Sequence, residues 1–497
     1  MNARPTPPVR RVAIIGASLA GLFAAAACAG AGDEVVLLDR DDLDNDTLAH
    51  PGVPQGRQPH VYLLRGLQAG EELLPGLGAE LSARGAVEFD SARLAWLGEE
   101  AWAPVVSFGR AGLAMSRPTL EQTVRRRVME LPGVRLESGR SVSGLRRAKG
   151  SAGTWRVITP TGEVPADIVI DASGRGSRLP VWLKALGVVD DPAEIPTEEV
   201  DARLGYAVRE YVNVPDLDGI SGIIVGSTPE TGRGGLAMPL EGGHWQVLAS
   251  GTGERRPPRD IAGFEAALRA LRDPVLADFA ARSTPVGDVL VHRRNGNRRR
   301  RYEKCRAWPA GLLAVGDSLV SLNPVFGQGV AVAGMQAMVL RDELSHRRDR
   351  PMTGRHTRFL QRRLARVAAL PWAIAAGQDL RYPTSHGEQN LVQKLTSDWV
   401  RELRRLASSG NERAHLTVIG LFNMVVPPVA LLHPALVAGV IGRRLRRSTA
   451  TVGRPAALDL LSVVVDDART VESAAVSRPP TPPVSEAGNP LTGSSPG

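Results

Sequence analysis

Apolar and polar positions change their spacing several times along this chain, and each change predicts an element. Val12–Ile15 is an unbroken apolar run, Leu19–Ala29 is a longer alanine-rich segment, and Val35–Leu38 is a second short run. Short apolar runs suit strands buried on both faces and the longer segment suits a helix, so Arg11–Arg40 predicts strand, helix, strand. In Ser116–Val134, Ser116 caps, Pro118 opens and Leu120 begins a helical spacing. Short alternating runs from Val134 to Ile170 predict a meander that returns to the first unit at ADIVIDASGRGSR.

The spacing differs between Asp201 and Gly253. There YAVREYVNV, GIIVGS and GGLAMPLEGGHWQVLASGT read as strands separated by glycine turns, a separate sheet placed to hold a substrate. Ile261–Phe279 predicts helix, Asp288–Arg294 a returning strand, Val330–Leu344 a helix, and Arg355 to about Arg447 a helical region. GVPQGRQPHVYLLRGLQAG begins as a loop and is expected to turn helical near His60. The Pro-, Ser- and Gly-rich tail from about Arg469 has little to bury and is expected to be disordered.

Three of these stretches carry chemistry. Gly16-Ala17-Ser18-Leu19-Ala20-Gly21 lies between a strand and a helix: Gly16 permits a tight turn, Gly21 permits close helix packing, and the helix start offers N–H groups to a pyrophosphate. Ser18 replaces the usual middle glycine and brings a hydroxyl. Asp39 ends the second strand, where a carboxylate pairs with ribose hydroxyls. DIVIDASGRGSR, Asp167–Arg178, is a strand ending in a small-residue turn, a pattern that other folds also produce. In GLLAVGDSLVSLNPVFGQG, Gly311–Gly329, a strand runs into Asp317, then an Asn-Pro turn, then a glycine pair opening an apolar helix. An acid at a strand end accepts bonds from sugar hydroxyls, and a helix start favours negative charge.

In this order the three motifs resemble the p-hydroxybenzoate hydroxylase-like (group A) FAD-dependent monooxygenases over roughly residues 10–380. The resemblance implies an α/β fold: a Rossmann-like FAD-binding domain of the glutathione reductase type, an inserted mainly antiparallel substrate sheet, and a C-terminal helical region. The FAD-binding parts would be 1–80, 111–190 and 296–350, the substrate parts 81–110 and 191–295, the helical region 351–468 and the tail 469–497. Carried over by motif, Gly16, Ser18, Leu19, Ala20, Gly21, Asp39 and Arg40 hold the adenosine and pyrophosphate, and Arg117 of SRPTL contacts the diphosphate. Arg57, Gln58, Ser173 and Gly174 also touch FAD, Asp317 binds the ribityl chain, and Pro324, Gly327, Gln328 and Gly329 line the isoalloxazine. A helix start placed there stabilises the reduced ring.

In finer detail GVPQGRQPH, SRPTLEQTVR, GGLAMPLEGGHW, RRRRYEKCRAWPAGLLAVGD and SLNPVFGQG are similar to the subgroup that contains polyene epoxidases of polyether antibiotic biosynthesis. The resemblance implies reduced FAD reacting with O₂ to a C4a-hydroperoxide that passes one oxygen to a lipophilic alkene. Where the hydroxylases show Asp-Gly this chain has Ser173-Gly174, which leaves open whether NADPH or NADH reduces the enzyme directly or a partner flavin reductase supplies electrons. An aromatic hydroxylase, an isoprenoid double-bond reductase and a halogenase share the cradle. The halogenases carry W-x-W-x-I-P and an early lysine, whereas here Trp96 and Trp102 stand outside that pattern and Lys149 is the first lysine. The fold also serves flavin-free prenyl-protein-binding modules, against which the intact Asp39, Asp317 and Gly327–Gly329 argue.

Charge and cysteine use narrow the picture. The net charge is +9 over 497 residues, and the run Arg298–Arg301 lacks interleaved aromatics and is expected just before a strand, so nucleic acid is not an expected partner. Two cysteines, Cys28 and Cys305, support neither a disulfide framework nor a metal site, and no His/Asp/Glu spacing suggests a metal. With no apolar signal core near the N-terminus, a cytoplasmic location is expected. Leu416–Gly442 is the longest apolar tract, but Pro427-Pro428 and His433-Pro434 break it, which favours packed helices with peripheral membrane contact through 416–447 still open. No catalytic acid or base stands out. Tyr206, Arg209 and Tyr211 are candidates to face substrate; His60 with Gln55 and Arg57 is a candidate for the ring; His244 and Trp245 read equally as structural.

Overall fold

A computed structural model describes residues 9–44, 50–52, 56, 59–148, 154–293, 296–388, 391–446 and 451–462. Its centre is a five-stranded parallel sheet ordered Leu312–Ala314, Ile168–Asp171, Arg11–Ile15, Glu34–Leu38, Val134–Glu137. The inner strands are buried along both faces, as their continuous apolar runs require. Helix Leu19–Gly30 packs on this sheet and against helix Gly329–His346, so chain segments some three hundred residues apart share one core. Strands Gly144–Arg147, Trp155–Thr159 and Gly162–Ala166 form an antiparallel meander beside it. Val134–Glu137, expected within that meander, instead forms the edge of the parallel sheet.

A six-stranded sheet lies over this unit, ordered Thr284–His292, Leu204–Val212, Trp245–Thr252, Arg233–Pro239, Gly222–Val225, Leu94–Leu97. It is antiparallel except where Gly222–Val225 runs parallel to Leu94–Leu97. One face packs on helices Ile261–Arg269 and Val275–Ala281 through Phe264, Leu276 and Phe279. The other carries Trp96, Ile224, Leu236, Val208 and Leu248 and meets Val61 and Ala114 of the ribbon Pro59–Tyr62, Gly112–Ser116, Val87–Phe89.

Several expectations are corrected. His60 lies in a strand and the helix begins only at Leu64, because Pro59–Tyr62 finds a partner in Gly112–Ser116 that local spacing does not reveal. Ile261–Phe279 is two helices separated at 270–274, where Pro274 lacks the N–H to continue the first. The returning strand starts at Thr284, not Asp288. The arginine run does not precede a strand: Asn297–Arg300 is one, pairing with Thr197–Val200 and Val320–Ser321. Its guanidinium groups are tied within the protein, Arg299 and Arg301 reaching Glu198 at 2.7 and 2.6 Å and Arg298 the carbonyl of Arg175.

The C-terminal region folds as helices Gly354–Val367, Ala369–Asp379, Leu391–Ser408, Glu412–Phe422 and Pro434–Arg446. No helix among the described residues is long and apolar enough to cross a membrane. The tail from Arg469 lies outside the described residues.

Candidate functional site

The three glycine-bearing motifs meet atom to atom. Gly16, at φ +102°, turns the chain so closely under the second motif that a Cβ there would stand 2.6 Å from the Ala172 carbonyl oxygen. Gly21 lets the first helix press on its own turn, since a Cβ would lie 1.9 Å from the Gly16 oxygen. On the third motif, Val315 N–H and the Ser318 hydroxyl both donate to the Asp171 carbonyl, at 3.0 and 2.7 Å. A Cβ on Gly316 would come within 2.6 Å of the Ala20 side chain, so the Asp317 turn is stacked on the helix start that carries Leu19 and Ala20. Gln336 fixes this turn by accepting from Gly316 N–H at 2.7 Å.

At one end of the joined motifs stands a charged cluster. Asp39 accepts from the N–H groups of Ala17 and Asp41 at 2.6 and 2.9 Å, so the acid at the second strand's end also shapes the first glycine turn. Ser18 donates to Glu121 at 2.8 Å and accepts from Arg117 at 2.9 Å, while Arg117 pairs with Glu121 and lies 3.3 Å from His60. His50 bridges Glu121 and Asp39. Burial disfavours its charged form, yet the two carboxylates raise its pKa to about 9, and His50 and Arg117 in turn hold Glu121 down at about 2. Glu121 and His50 were not singled out from the sequence; the R-x-x-L segment gave the register that would have found Glu121. Arg40 points largely into solvent near Asp41.

Midway, Asp317 is half-buried and accepts from the Ser321 hydroxyl at 3.4 Å. Burial pushes its carboxyl up, tempered by the positive field of Arg175, Arg117 and Arg298. Ser173 and Ser177 both bond the buried Asp171 carboxylate at 2.5 Å, so the Ser173 hydroxyl is committed to shaping the second turn.

At the far end Asn323 caps the turn Pro324–Phe326, Gly327 follows at φ +64°, and helix Gly329–His346 begins. A Cβ added at Gly174, Gly327 or Gly329 would meet nothing within 4 Å. These glycines therefore border open space, into which a ligand's flat or phosphate-bearing part could come close to backbone. Gln328 is turned inward, donating to the Phe422 carbonyl at 3.1 Å, so its backbone rather than its side chain fronts the opening. Behind the turn lies a network that the sequence did not announce. Asp379 accepts from Asn323 and Asn297 through one oxygen at 3.0 and 2.7 Å, and Asn323 N–H donates to Asn297. Burial, with Asp201 nearby, raises the Asp379 pKa to about 7.

The substrate candidates do not share a face. Tyr206 lies with Val208 and Leu248 on the side toward the ribbon, whereas Tyr211 is packed among Ala207, Val247 and Phe264 on the helix side. Arg209 donates to the Gly287 carbonyl across the neighbouring strand. His292, opposite Tyr206, stacks near it with ring centroids 5.5 Å apart. His244 pairs with Glu210 at the strand's end, and Trp245 packs on Phe279 on the helix side, away from the Tyr206 face. Gln55, Arg57 and Gln58 lie outside the described residues. Phe422 joins the two layers: its carbonyl takes Gln328 and its ring stands 6.5 Å from Trp96.

These groups are of the kinds that FAD would need: helix N–H groups and Arg117 that could meet a diphosphate, carboxylates that could meet sugar hydroxyls, and open space at a helix start that could take a ring. No family model matches the sequence. Protein Rv3254 of Mycobacterium tuberculosis (strain ATCC 25618 / H37Rv) is 31% identical over 403 residues, 77% of this chain and 82% of that protein. Among solved structures, p-nitrophenol 4-monooxygenase PnpA from Pseudomonas putida DLL-E4 superposes with a TM-score of 0.59 at 14% identity, over 84% of this chain and 98% of that one. PqsL, a probable FAD-dependent monooxygenase from Pseudomonas aeruginosa, gives 0.57 at 16% identity over 75% and 98%. The protein thus has the mixed α/β fold seen in FAD-dependent monooxygenases and belongs to the same family as the mycobacterial protein Rv3254.

Proposed function

We propose that this protein is an FAD-dependent monooxygenase that inserts one atom of O₂ into a lipophilic substrate, with alkene epoxidation in secondary metabolism as its reaction. Bound FAD would supply the activation of oxygen. The chain's own part is to bind, orient and exclude water. Ser18, Arg117 and the Leu19–Gly30 helix start would hold the diphosphate; Asp39 would hold the adenosine ribose; Asp317 would hold the ribityl chain. The Gly329 helix start would stabilise negative charge on the reduced ring. In this reading the parallel sheet serves as a Rossmann-like unit and the six-stranded sheet as the substrate wall.

The observation that carries the reading is the convergence of Gly16, Ala172, Ala20, Gly316 and Ser318, which brings three distant motifs into direct contact. Lipophilic substrate is supported by the sheet face of Trp96, Ile224, Leu236 and Leu248, apolar and only partly covered at Trp96, Ile224 and Leu236. The balanced reaction takes alkene, O₂, NAD(P)H and a proton to epoxide, NAD(P)⁺ and water, with the reductant either direct or through a partner reductase. Incubation of the FAD-loaded protein with a conjugated polyene, NADPH or NADH and ¹⁸O₂ tests it. One labelled oxygen in an epoxide is expected, and product that forms equally well without oxygen would overturn the proposal.

His292 favours a second reading. It lies on the Tyr206 strand pair, and an imidazole there would deprotonate a phenol, the substrate class named for PnpA. His292→Gln would then lower phenol turnover about 10²-fold or more while leaving polyene turnover within a few-fold.

A further inference from the structure

The C-terminal helices turn an apolar face outward. Leu391, Leu395, Val429, Leu432, Ile441 and Leu445 are each between 53% and 79% exposed. Leu391, Leu395 and Trp399 recur every four residues on one helix face, and the Trp399 indole donates to the Leu431 carbonyl at 2.9 Å. That bond sets the face beside the turn Pro428–Leu432, where Leu431 points inward and Val429 and Leu432 outward. On helix Pro434–Arg446 the buried side is Leu436 and Val440, with Ile441 and Leu445 one turn apart on the outer side. Gly439 lies against Leu406 and Arg444 bonds Glu402, so the two helices cross antiparallel and Leu445 is carried toward the end that bears Leu395.

Charge accompanies this face. Residues 391–446 hold eight Lys or Arg against three Asp or Glu, a net +5 of the chain's +9. Helix Pro434–Arg446 ends on Arg443, Arg444 and Arg446 without an acid, and the first two share the single carboxylate of Glu402. An apolar surface rimmed by an excess of arginine over carboxylate fits the interface of an anionic bilayer, where side chains enter the acyl boundary and cations meet lipid phosphates. The same unit touches the third motif. Asn423, at the end of helix Glu412–Phe422, takes Leu64 N–H through its side chain and Arg65 N–H through its carbonyl, and Phe422 takes Gln328.

We propose that this face docks the protein on anionic membrane, so that a substrate dissolved in the bilayer reaches the site beneath helix Glu412–Phe422. The delivery role rests on the monooxygenase reading; the docking itself does not. Sedimentation of the full FAD-loaded chain with vesicles of phosphatidylcholine alone, or with added phosphatidylglycerol, tests it. Binding at least about tenfold stronger to the phosphatidylglycerol vesicles, weakened by salt, is expected. The double substitution Leu432→Ser with Leu445→Ser should abolish it with the circular dichroism and flavin spectrum unchanged. Equal binding by that variant, or no binding by the parent chain, overturns the proposal. Two further outcomes also overturn it: a dimer in light scattering that the variant dissolves assigns the face to a second copy, and binding that appears only on truncation after Ser462 assigns it to the chain's own tail. Colourless protein that still binds vesicles would sink the monooxygenase reading and leave the docking surface standing.

Discussion

Asp379 shows what a single buried carboxyl does to this site. One of its oxygens takes both Asn323 and Asn297, so the turn that fronts the opening is hung from it. Asp379→Leu would leave two buried amides unpaired and is expected to cost about 2–4 kcal/mol. Asp379→Asn can present its carbonyl oxygen to the same two donors and should keep the turn. The pH sign follows from the raised pKa: the folded chain keeps a proton that the unfolded chain releases near 3.8, so this group's contribution falls as pH rises from about 4 to 7 and is level above. Thermal melts should therefore lose more stability between pH 5 and 8 in the wild type than in Asp379→Asn, a difference on the order of 2–3 kcal/mol. Parallel curves would contradict the account. His50 has the same direction for a different reason: its stabilising charge is complete below 6.5 and lost as pH passes about 9, so His50→Gln should flatten the alkaline limb of the apoprotein's melt. Neither group was legible in the sequence. A lone Asp or His in a helix or loop carries no mark of partners such as Glu121 for His50, or Asn323 and Asn297 for Asp379, which tertiary contact brings from 71, 56 and 82 positions away.

Elements were more readable where one physical constraint dominates. Continuous apolar runs located the buried strands at Arg11–Ile15 and Glu34–Leu38, and Gly329–His346 followed from a glycine pair before an apolar helix. Reading failed where pairing decides: Pro59–Tyr62 and Val134–Glu137 are strands because distant edges accept them. The hairpin tip at Glu241 belongs to the same class. Its carboxylate takes Ser116 N–H at 2.7 Å and the Ser116 and Thr119 hydroxyls at 2.5 Å, tying the substrate sheet to the first turn of helix Arg117–Met129. Glu241→Ala should cost about 1–3 kcal/mol, weaken FAD retention through Arg117, and be read by denaturant melts with parallel flavin titration. Gly329→Val makes the complementary test. Its Cβ meets nothing within 4 Å and the position is not left-handed, so the apoprotein should melt within about 1 kcal/mol of wild type while FAD binding is lost. Variant protein that is destabilised yet still yellow would show that the opening is not the cofactor's.

The whole molecule is closed by contacts across long sequence separation. Motifs at Gly16, Ala172 and Gly316 are each short, and turns of the second kind occur in many folds; what makes them a site is their contact in three dimensions. The order of motifs along the chain carried that expectation, because a strand, glycine turn and helix at each end must bury their apolar faces on a common sheet. The chain's middle, where substrate identity is written, has no such code. Tyr206 and Tyr211 sit on opposite faces because they are an odd number of positions apart on one strand, so alternation sends one toward the ribbon and the other toward the helices.

The most direct test of the central claim is an FAD titration, followed by flavin fluorescence, of the wild type and of Asp317→Ala, each first shown to be folded by circular dichroism. The account predicts one tightly held FAD per wild-type chain and at least tenfold weaker binding in the variant, the loss of about 1.4 kcal/mol or more that a missing ribityl acceptor entails. A folded wild-type chain that takes up no FAD, or an Asp317→Ala chain that binds it as tightly, would contradict it.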